Sequence, residues 1–185
     1  MEKWKQASRF YFQQFVEKKI SFTDQKIRRI EAIFNKGFSE REALKRFKVY
    51  IIGYEKSWTS FNDARPSIKQ LIQKTKIGII SNGEREQQIR KLKAIGLFSF
   101  IDTLVTSDET GCSKPAKELF LHACEKAKVE PAITYYVGDR ITVDVYGSQN
   151  AGMKALWLNR KNLPAPEGVK TITSLYECCE MMINQ

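Results

Sequence analysis

The chain carries the stretch Val137-Gly138-Asp139-Arg140-Ile141-Thr142-Val143-Asp144, which continues an apolar run that starts at residue 133. The run stops at the glycine, and two carboxylates follow, five residues apart. A second apolar run comes at 154–158. This order predicts a buried strand, a helix at about 142–151 and another strand, with the carboxylates at the carboxyl end of the first strand. Open parallel sheets have their ligand sites at such ends.

Strands and helices alternate through residues 63–185. Short apolar runs predict strands at 76–80 and 100–105, and the first of these is expected to be buried on both faces. Helical periodicity predicts helices through Ile68 and Ile72, at 84–94 and at 117–128. Strands that alternate with helices of about ten residues indicate βαβ units, and therefore an α/β fold with a mostly parallel sheet.

Residues 1–62 have a different pattern. Apolar side chains at helical spacing predict three helices there, with breaks at Ser21–Asp24 and near Gly37. Ser39 is a candidate N-cap, and Glu42 is its candidate capping-box partner. The run 49–52 (VYII) is β-branched enough to form a strand instead. We therefore expect a small all-helical domain at 1–62 and an α/β domain at 63–185.

Composition and charge narrow the class of protein. The 185 residues are 42% hydrophobic and 28% charged, which is ordinary for a globular chain with one core and a small helical module. Residues 1–60 hold 14 Lys and Arg against 7 Asp and Glu. Such a basic segment could bind nucleic acid, but its lysines are scattered along the segment and form no cluster. This scatter favours a solvated face of amphipathic helices over a nucleic-acid interface.

The sequence predicts a cytoplasmic protein without membrane association. No apolar run approaches the roughly 20 residues that span a bilayer, and the N-terminus lacks the apolar core of a secretory signal. The single histidine and the spacing of the cysteines match no zinc pattern. Free thiols in a reducing compartment are therefore expected at all four cysteines, which are Cys112, Cys124, Cys178 and Cys179.

Polar side chains lie at or just beyond the predicted strand ends. They are the hydroxyl of Ser81, the amide of Asn82, the ammonium of Lys114 and the carboxylates of Asp139 and Asp144. Because the carboxyl ends of parallel strands share one edge of a sheet, these groups can converge there. A hydroxyl and an ammonium suit phosphate oxygens, and carboxylates suit a hard cation such as Mg2+.

Each of these groups also has a simpler explanation when it is taken alone. Ser81-Asn82-Gly83 is compatible with a turn and helix cap. Lys114 is compatible with a solvated surface lysine. The two aspartates are compatible with capping of the helix that follows Gly138. Their shared position at strand ends favours the site over the separate explanations.

Together these segments resemble the haloacid dehalogenase-like (HAD) hydrolases, in the subgroup with a helical cap near the N-terminus. The resemblance covers residues 65–185 through IGIISNG, TSDETGCSKPAKELF and YYVGDRITVDVYGSQNAGM, and residues 1–60 resemble the cap. It implies a Rossmann-like core of three layers around a parallel sheet. It further implies a role for each polar group: phosphate binding for Ser81 and Asn82, phosphate binding and catalysis for Lys114, and metal binding for Asp139 and Asp144.

The chain departs from the family pattern at the nucleophile. In the family this residue belongs to a D-x-D motif at the end of a first, central strand ahead of the cap, and no two aspartates here are separated by one residue. We therefore expect the nucleophile and the general acid to be missing. We also expect a vacant strand position between the strands that end at Ile80 and Val137. The internal candidate for filling that position is the run 49–52, and self-association through it is a further expectation.

The resemblance implies two functions of different classes. Most members are phosphatases that use Mg2+ and pass through an aspartyl-phosphate. The first hypothesis is therefore a Mg2+-dependent phosphatase that acts on a small phosphomonoester when complete, with this chain inactive by itself. The alternative is a non-catalytic remnant that binds a phosphorylated ligand or a partner through the inherited pocket.

Overall fold

The structure, a computed structural model, describes residues 2–183 and divides into two compact units between Trp58 and Thr59. The domain boundary predicted at residue 62 stays a prediction, and the compact units divide slightly earlier. The first unit consists of helices in its described part, and none of the helices in 2–183 is long and apolar enough to cross a bilayer. The helices of the first unit are α1 (Glu2–Val16), α2 (Phe22–Phe34) and α3 (Glu40–Lys56).

Local sequence signals set the ends of α2 and α3. Ser21 and Asp24 form a reciprocal capping box at the start of α2, and Asn35 ends that helix in the left-handed conformation. The hydroxyl of Ser39 accepts a hydrogen bond from the Glu42 N–H at 3.4 Å. The predicted N-cap of α3 is therefore confirmed, whereas the Glu42 side chain pairs with Arg46 at 2.9 Å rather than completing the predicted capping box.

The β-branched run 49–52 is helical and lies within α3. Ala43 and Phe47, one turn apart on this helix, are buried against Ile30 of α2, and Ile51 packs on the same cluster. The buried face follows the helical period, so packing outweighs the strand preference of single residues. The suggestion that this run fills the vacant strand position is therefore wrong.

The second unit alternates helices with strands, as the sequence predicts, and its strand pairs are parallel. This is the expected Rossmann-like α/β class. Short 3-10 turns at Phe98–Phe100 and Pro131–Ile133 each precede a strand, and a π-helical turn at Ile141–Val145 precedes a short helix. The elements are α4 (Ala64–Leu71), β1 (Gly78–Ser81), α5 (Arg85–Ala94), β2 (Thr103–Thr106), α6 (Ser107–Thr110), α7 (Lys117–Ala127), β3 (Tyr135–Gly138), α8 (Tyr146–Asn150), β4 (Lys154–Leu158), β5 (Thr171–Ile172) and α9 (Leu175–Ile183).

The strands form two sheets, β1–β2 and β3–β4–β5. Within residues 2–183, β1 pairs only with β2, and β3 pairs only with β4. Burial follows this division, because β2 is buried along its whole length whereas β1 and β3 are largely half-buried. The expectation that the run 76–80 is buried on both faces is wrong, because its residues are exposed or only half-buried.

Helix α7 packs on both sheets and holds them together. Leu119 and Phe120 are fully buried, and Ile80 of β1 packs against the clusters of both residues. Tyr136 of β3 meets the Phe120 ring edge-on, with ring centroids 5.0 Å apart. A side chain at Gly147 would place its Cβ 2.8 Å from Phe120 Cε2, so glycine lets α8 approach α7 closely.

Candidate functional site

The carboxyl ends of β1 and β3 carry the predicted polar residues. Ser81 is the last residue of β1, and Asn82 follows it. Asp139 follows Gly138, the last residue of β3, and Asp144 lies in the π-helical turn just beyond. Lys114 lies between α6 and α7. The structure brings Asn82, Lys114 and Asp144 into direct contact.

The centre of this group is a buried ion pair. Lys114 Nζ donates to Asp144 Oδ1 at 2.7 Å, and the two side chains are 14% and 4% exposed. The ammonium also donates to the Tyr136 hydroxyl at 2.9 Å. Lysine has three N–H donors, and these contacts occupy two of them. Lys114 is therefore a fixed, shielded cation, and the simpler explanation of a solvated lysine is wrong.

Tyr136 completes this contact from β3. Its hydroxyl lies 3.4 Å from Asp144 Oδ1. Burial, and then the negative charge of Asp144, raise the pKa of the Tyr136 hydroxyl well above its ordinary value. The phenol consequently stays protonated at neutral pH, and it can accept from the ammonium while it donates to the carboxylate.

The position of Asp144 depends on Gly138. A Cβ atom on Gly138 would lie 2.6 Å from Asp144 Cγ, closer than side chains can approach. The second carboxylate oxygen, Oδ2, accepts the Arg140 N–H at 3.0 Å. The Asp144 N–H donates to the Arg140 carbonyl at 2.7 Å, which tightens the turn. Both oxygens of Asp144 thus have partners within the protein.

The side chain of Asn82 hydrogen-bonds to both the N–H and the carbonyl group of the Lys114 main chain. The side-chain carbonyl of Asn82 accepts the Lys114 N–H at 2.7 Å, and its amide donates to the Lys114 carbonyl at 3.0 Å. The peptide bond from Lys114 to Pro115 is cis. This paired contact fixes the loop that presents the ammonium, and the phosphate-binding role of Asn82 stays a prediction.

Ser81 and Asp139 occupy the strand ends without joining this set of contacts. The Ser81 hydroxyl accepts the Gly83 N–H at 3.1 Å, which is the turn that its local sequence suggests. Asp139 is exposed, and its main-chain carbonyl accepts the indole N–H of Trp157 at 3.1 Å. Their phosphate-binding and metal-binding roles stay predictions.

The carboxylates at the strand ends are the candidate ligands for a metal ion. Within residues 2–183, no three or more His, Cys, Asp or Glu side chains are grouped to hold one. Mg2+ needs fewer, since it usually keeps several waters and takes one or two carboxylates with substrate phosphate. The exposed carboxylate of Asp139 fits that requirement, whereas Asp144 is engaged by Lys114 and Arg140.

Sequence reasoning missed three residues of this site. Tyr136 was read only as part of an apolar strand, although it stands two residues before Gly138 and therefore on the same strand face. Gly138 was read as a strand end rather than as the space for Asp144. Trp157 lies in the strand predicted at 154–158, and the register pairs it with Gly138 and places its indole at the Asp139 carbonyl.

Comparison with known proteins identifies the family. The model of the haloacid dehalogenase-like hydrolases matches residues 5–158. The chain is 38% identical over 111 residues to the pyrimidine 5'-nucleotidase YjjG of Escherichia coli (strain K12), which covers 58% of this chain and 49% of that protein. It is 32% identical over 99 residues to the N-acylneuraminate-9-phosphatase of Rattus norvegicus, covering 53% of this chain and 40% of that protein. The chain thus spans about half or less of the length of these relatives.

A solved structure agrees with this fold. The HAD-hydrolase YfnB of Bacillus subtilis, solved bound to magnesium, has a TM-score of 0.83 and 24% identity, and the match covers 97% of this chain and 80% of that one. At 24% identity this likeness shows the fold alone. The family is shown by the family model, which matches residues 5–158. The chain belongs to the haloacid dehalogenase-like hydrolases.

Proposed function

We propose that this chain supplies the phosphate- and metal-binding part of a phosphatase that acts on a small phosphomonoester. The observation that carries the proposal is the anchored ammonium of Lys114. Asp144 and Tyr136 take two of its N–H groups, and the remaining one is available to a phosphate oxygen. A fixed cation of this kind stabilises the negative charge of a transferring phosphoryl group.

Three further groups would share this work. The Ser81 hydroxyl would donate to a phosphate oxygen at the end of β1. Asn82 would keep the Lys114 loop in place through its two hydrogen bonds, in addition to any direct contact with phosphate. Asp139 would hold Mg2+, with Asp144 as the supporting acid. When bound, the ion would neutralise part of the negative charge on the phosphate.

The names of the relatives support the reaction class. A pyrimidine 5'-nucleotidase and an N-acylneuraminate-9-phosphatase both release phosphate from a monoester. The magnesium in the YfnB structure supports the choice of cation. These names differ in their substrates and select none for this chain, so the proposal names only the class of phosphomonoesters.

The attacking carboxylate is proposed to come from a further strand. The 185 residues contain no D-x-D sequence, and a covalent aspartyl-phosphate requires that nucleophile. The unpaired edges of β1 and β3 support a place for one parallel strand between the two sheets. By itself the chain is therefore proposed to be inactive.

The test compares two proteins on a panel of phosphomonoesters with Mg2+. One is the 185-residue chain, and the other carries an added N-terminal strand that ends in D-x-D. We expect phosphate release from the extended protein alone, and loss of release when Lys114 is replaced by Met together with Asp144→Asn. A folded extended protein that hydrolyses no ester of the panel would contradict the proposal.

A second candidate function is non-catalytic binding of a phosphorylated ligand or of another copy. It is favoured by the intact Lys114 site in a chain without the D-x-D sequence. Unpaired strand edges are templates for association, which supports a dimer through β1 or β3. Stabilisation by phosphate without turnover in the extended protein would favour this candidate, and a monomeric mass at all concentrations would exclude the dimer.

A further inference from the structure

Tyr136 of β3 is a partly buried tyrosine to which the resemblance gives no role. It lies two residues before Gly138, so the two residues point to the same side of the strand. The Tyr136 hydroxyl lies 2.9 Å from Lys114 Nζ and 3.4 Å from Asp144 Oδ1. A single oxygen therefore contacts both members of the buried ion pair.

Packing against α7 fixes the place of this hydroxyl. Phe120 of α7 is fully buried, and the Tyr136 ring meets it edge-on, with ring centroids 5.0 Å apart. Helix α7 begins at Lys117, so the ring packs on the helix that directly follows the Lys114 loop. A phenylalanine at position 136 would keep this ring contact and remove only the oxygen.

The Lys114 ammonium contacts Tyr136 through the hydroxyl. Lys114 Nζ lies 2.9 Å from the hydroxyl oxygen and 5.5 Å from the centre of the ring. A phenol oxygen projects outward in the plane of the ring, so a cation close to the oxygen and far from the centre lies at the rim of the ring. A cation–π interaction acts over the ring face and is weak at the rim. The oxygen therefore makes the main contact with the ammonium.

Two contacts restrict the ammonium more than one contact does. A lysine ammonium is normally a mobile point charge, because its four-carbon stem is flexible and its three donors rotate. A hydrogen bond to Asp144 alone leaves the group free to pivot about that bond. A second bond in another direction, to Tyr136, removes this freedom and sets the direction of the third N–H. A donor that is already ordered binds its ligand at a lower entropy cost.

We propose that Tyr136 is a positioning residue that makes Lys114 a directed donor to one phosphate oxygen. The hydroxyl accepts one N–H of the ammonium and Asp144 accepts another, which leaves the third for the phosphate. Tyr136 does not touch the phosphate itself. This inference rests on the proposed function, because it concerns the same phosphate site, and it adds a residue that the resemblance does not supply.

The protonation state of the hydroxyl is compatible with this role. Burial, and then the charge of Asp144, raise the pKa of the Tyr136 hydroxyl, so it keeps its proton at neutral pH. It can therefore accept from Lys114 and donate to Asp144 at the same time. The alternative is that Tyr136 only stabilises the folded chain. Loss of the oxygen lowers stability under both explanations, so stability does not separate them.

The first experiment follows the 1H–15N signal of the Lys114 ammonium in the unaltered chain, identified by its loss in Lys114→Met. Ammonium protons that are held in hydrogen bonds exchange slowly with water. We expect exchange at least about threefold faster in Tyr136→Phe, since one N–H loses its acceptor. Tyr176→Phe, which changes an exposed tyrosine of α9, should leave the rate unchanged. An equal rate in Tyr136→Phe and the unaltered chain, or no observable signal from the unaltered chain, overturns the proposal.

The second experiment titrates inorganic phosphate with Mg2+ present into the unaltered chain, Tyr136→Phe and the control Tyr176→Phe. We expect about fivefold weaker binding to Tyr136→Phe and no change in the control. In a chain that already carries Lys114→Met and Asp144→Asn, adding Tyr136→Phe should not weaken the residual binding further, because the residue acts through the lysine. A further loss in that background overturns the proposal.

The two proposals fail in different ways. If phosphate binds Tyr136→Phe as tightly as the unaltered chain but is lost with Lys114→Met and Asp144→Asn, the positioning role is wrong and the proposed function stands. If the unaltered chain binds no phosphate, the proposed function itself is contradicted, and the positioning role with it.

Discussion

Lys114 Nζ and Asp144 Oδ1 lie 2.7 Å apart, although the two residues are separated by 30 positions in the sequence. Their side chains are only 14% and 4% exposed. One residue comes from the loop before α7 and the other from the turn after β3, so the pair joins two separate segments of the second unit. In such surroundings each charge is tolerated because the other is present. The pair is therefore both the electrostatic centre of the site and a strong constraint on its geometry.

The first prediction concerns the coupling of this pair. Lys114→Met leaves a buried carboxylate without its partner, and we expect the free energy of unfolding to fall by about 3–5 kcal/mol. Adding Asp144→Asn removes the orphaned charge and should recover part of that loss. Urea unfolding of the single and double variants measures the coupling, which we expect to exceed about 1 kcal/mol.

The control for this cycle is the exposed pair of Glu42 and Arg46 on α3, 2.9 Å apart with side chains 49% and 41% exposed. Exposed pairs at this helical spacing couple by about 0.3–0.5 kcal/mol. A coupling for Lys114 and Asp144 no larger than that of the control would show that the buried pair does not constrain the site.

The second prediction concerns Gly138. An alanine there would drive its Cβ into Asp144, so Gly138→Ala should lower the free energy of unfolding by about 1–3 kcal/mol and displace the carboxylate. Gly53→Ala is the matched control, since no atom lies within 4 Å of the new Cβ in helix α3. The control should raise stability by about 0.5–1 kcal/mol. Chemical denaturation of both variants checks this, and equal effects would disprove the proposed close approach.

The third prediction concerns Asn82 as the support of the Lys114 loop. Asn82→Ala leaves the Lys114 N–H and carbonyl without partners, which should cost about 1–3 kcal/mol of stability. Phosphate affinity should fall in the same variant because the ammonium is no longer held in place. The exposed Asn150→Ala should stay within about 0.5 kcal/mol of the unaltered chain. Unchanged stability of Asn82→Ala would rule out the supporting role.

The fourth prediction concerns acid stability and the buried pair of Asp63 and Arg160. Two guanidinium N–H groups donate to the Asp63 carboxylate at 2.8 Å each, and the Leu175 N–H donates at 2.9 Å. The hydrogen bonds from Arg160 hold the pKa of Asp63 below its ordinary value. A carboxyl group with a lowered folded pKa adds stability above its unfolded pKa of about 3.9, and that stability is lost as pH falls through the folded pKa.

Asp63→Asn should therefore lower stability at pH 7 by about 1–3 kcal/mol and make the acid side of the stability profile less steep. Urea midpoints between neutral pH and about pH 3 measure this effect. An equally steep loss of stability in acid for Asp63→Asn and for the unaltered chain would mean that Asp63 does not contribute to it.

Much of the second unit follows from the sequence alone. The strand predicted at 154–158 matches β4, and the helices predicted at 84–94 and 117–128 match α5 and α7 within a residue. These segments have clear apolar periodicity between residues that break regular structure, and their local preference agrees with their packing. The short elements α6 and β5 have too few residues to show a period.

The contacts of the site were less predictable than its residues. The sequence places Lys114, Asp139 and Asp144 near strand ends, but the partner of each is chosen by tertiary distance. Asp144 is expected to be a metal ligand, and that role stays a prediction, while its carboxylate is bound by Lys114 and the Arg140 N–H in this structure. The division of the strands into two sheets also could not be predicted from apolar periodicity, because periodicity does not show which strands pair with one another.

The most direct test of the central claim is calorimetric titration of inorganic phosphate with Mg2+ present. The unaltered chain is compared with the same chain carrying Lys114→Met and Asp144→Asn. We predict saturable binding to the first protein and at least about tenfold weaker binding to the second, since a charge-assisted hydrogen bond is lost. Equal affinity of the two folded proteins, or no binding to the first, would contradict the assignment of Lys114 as the phosphate-binding cation.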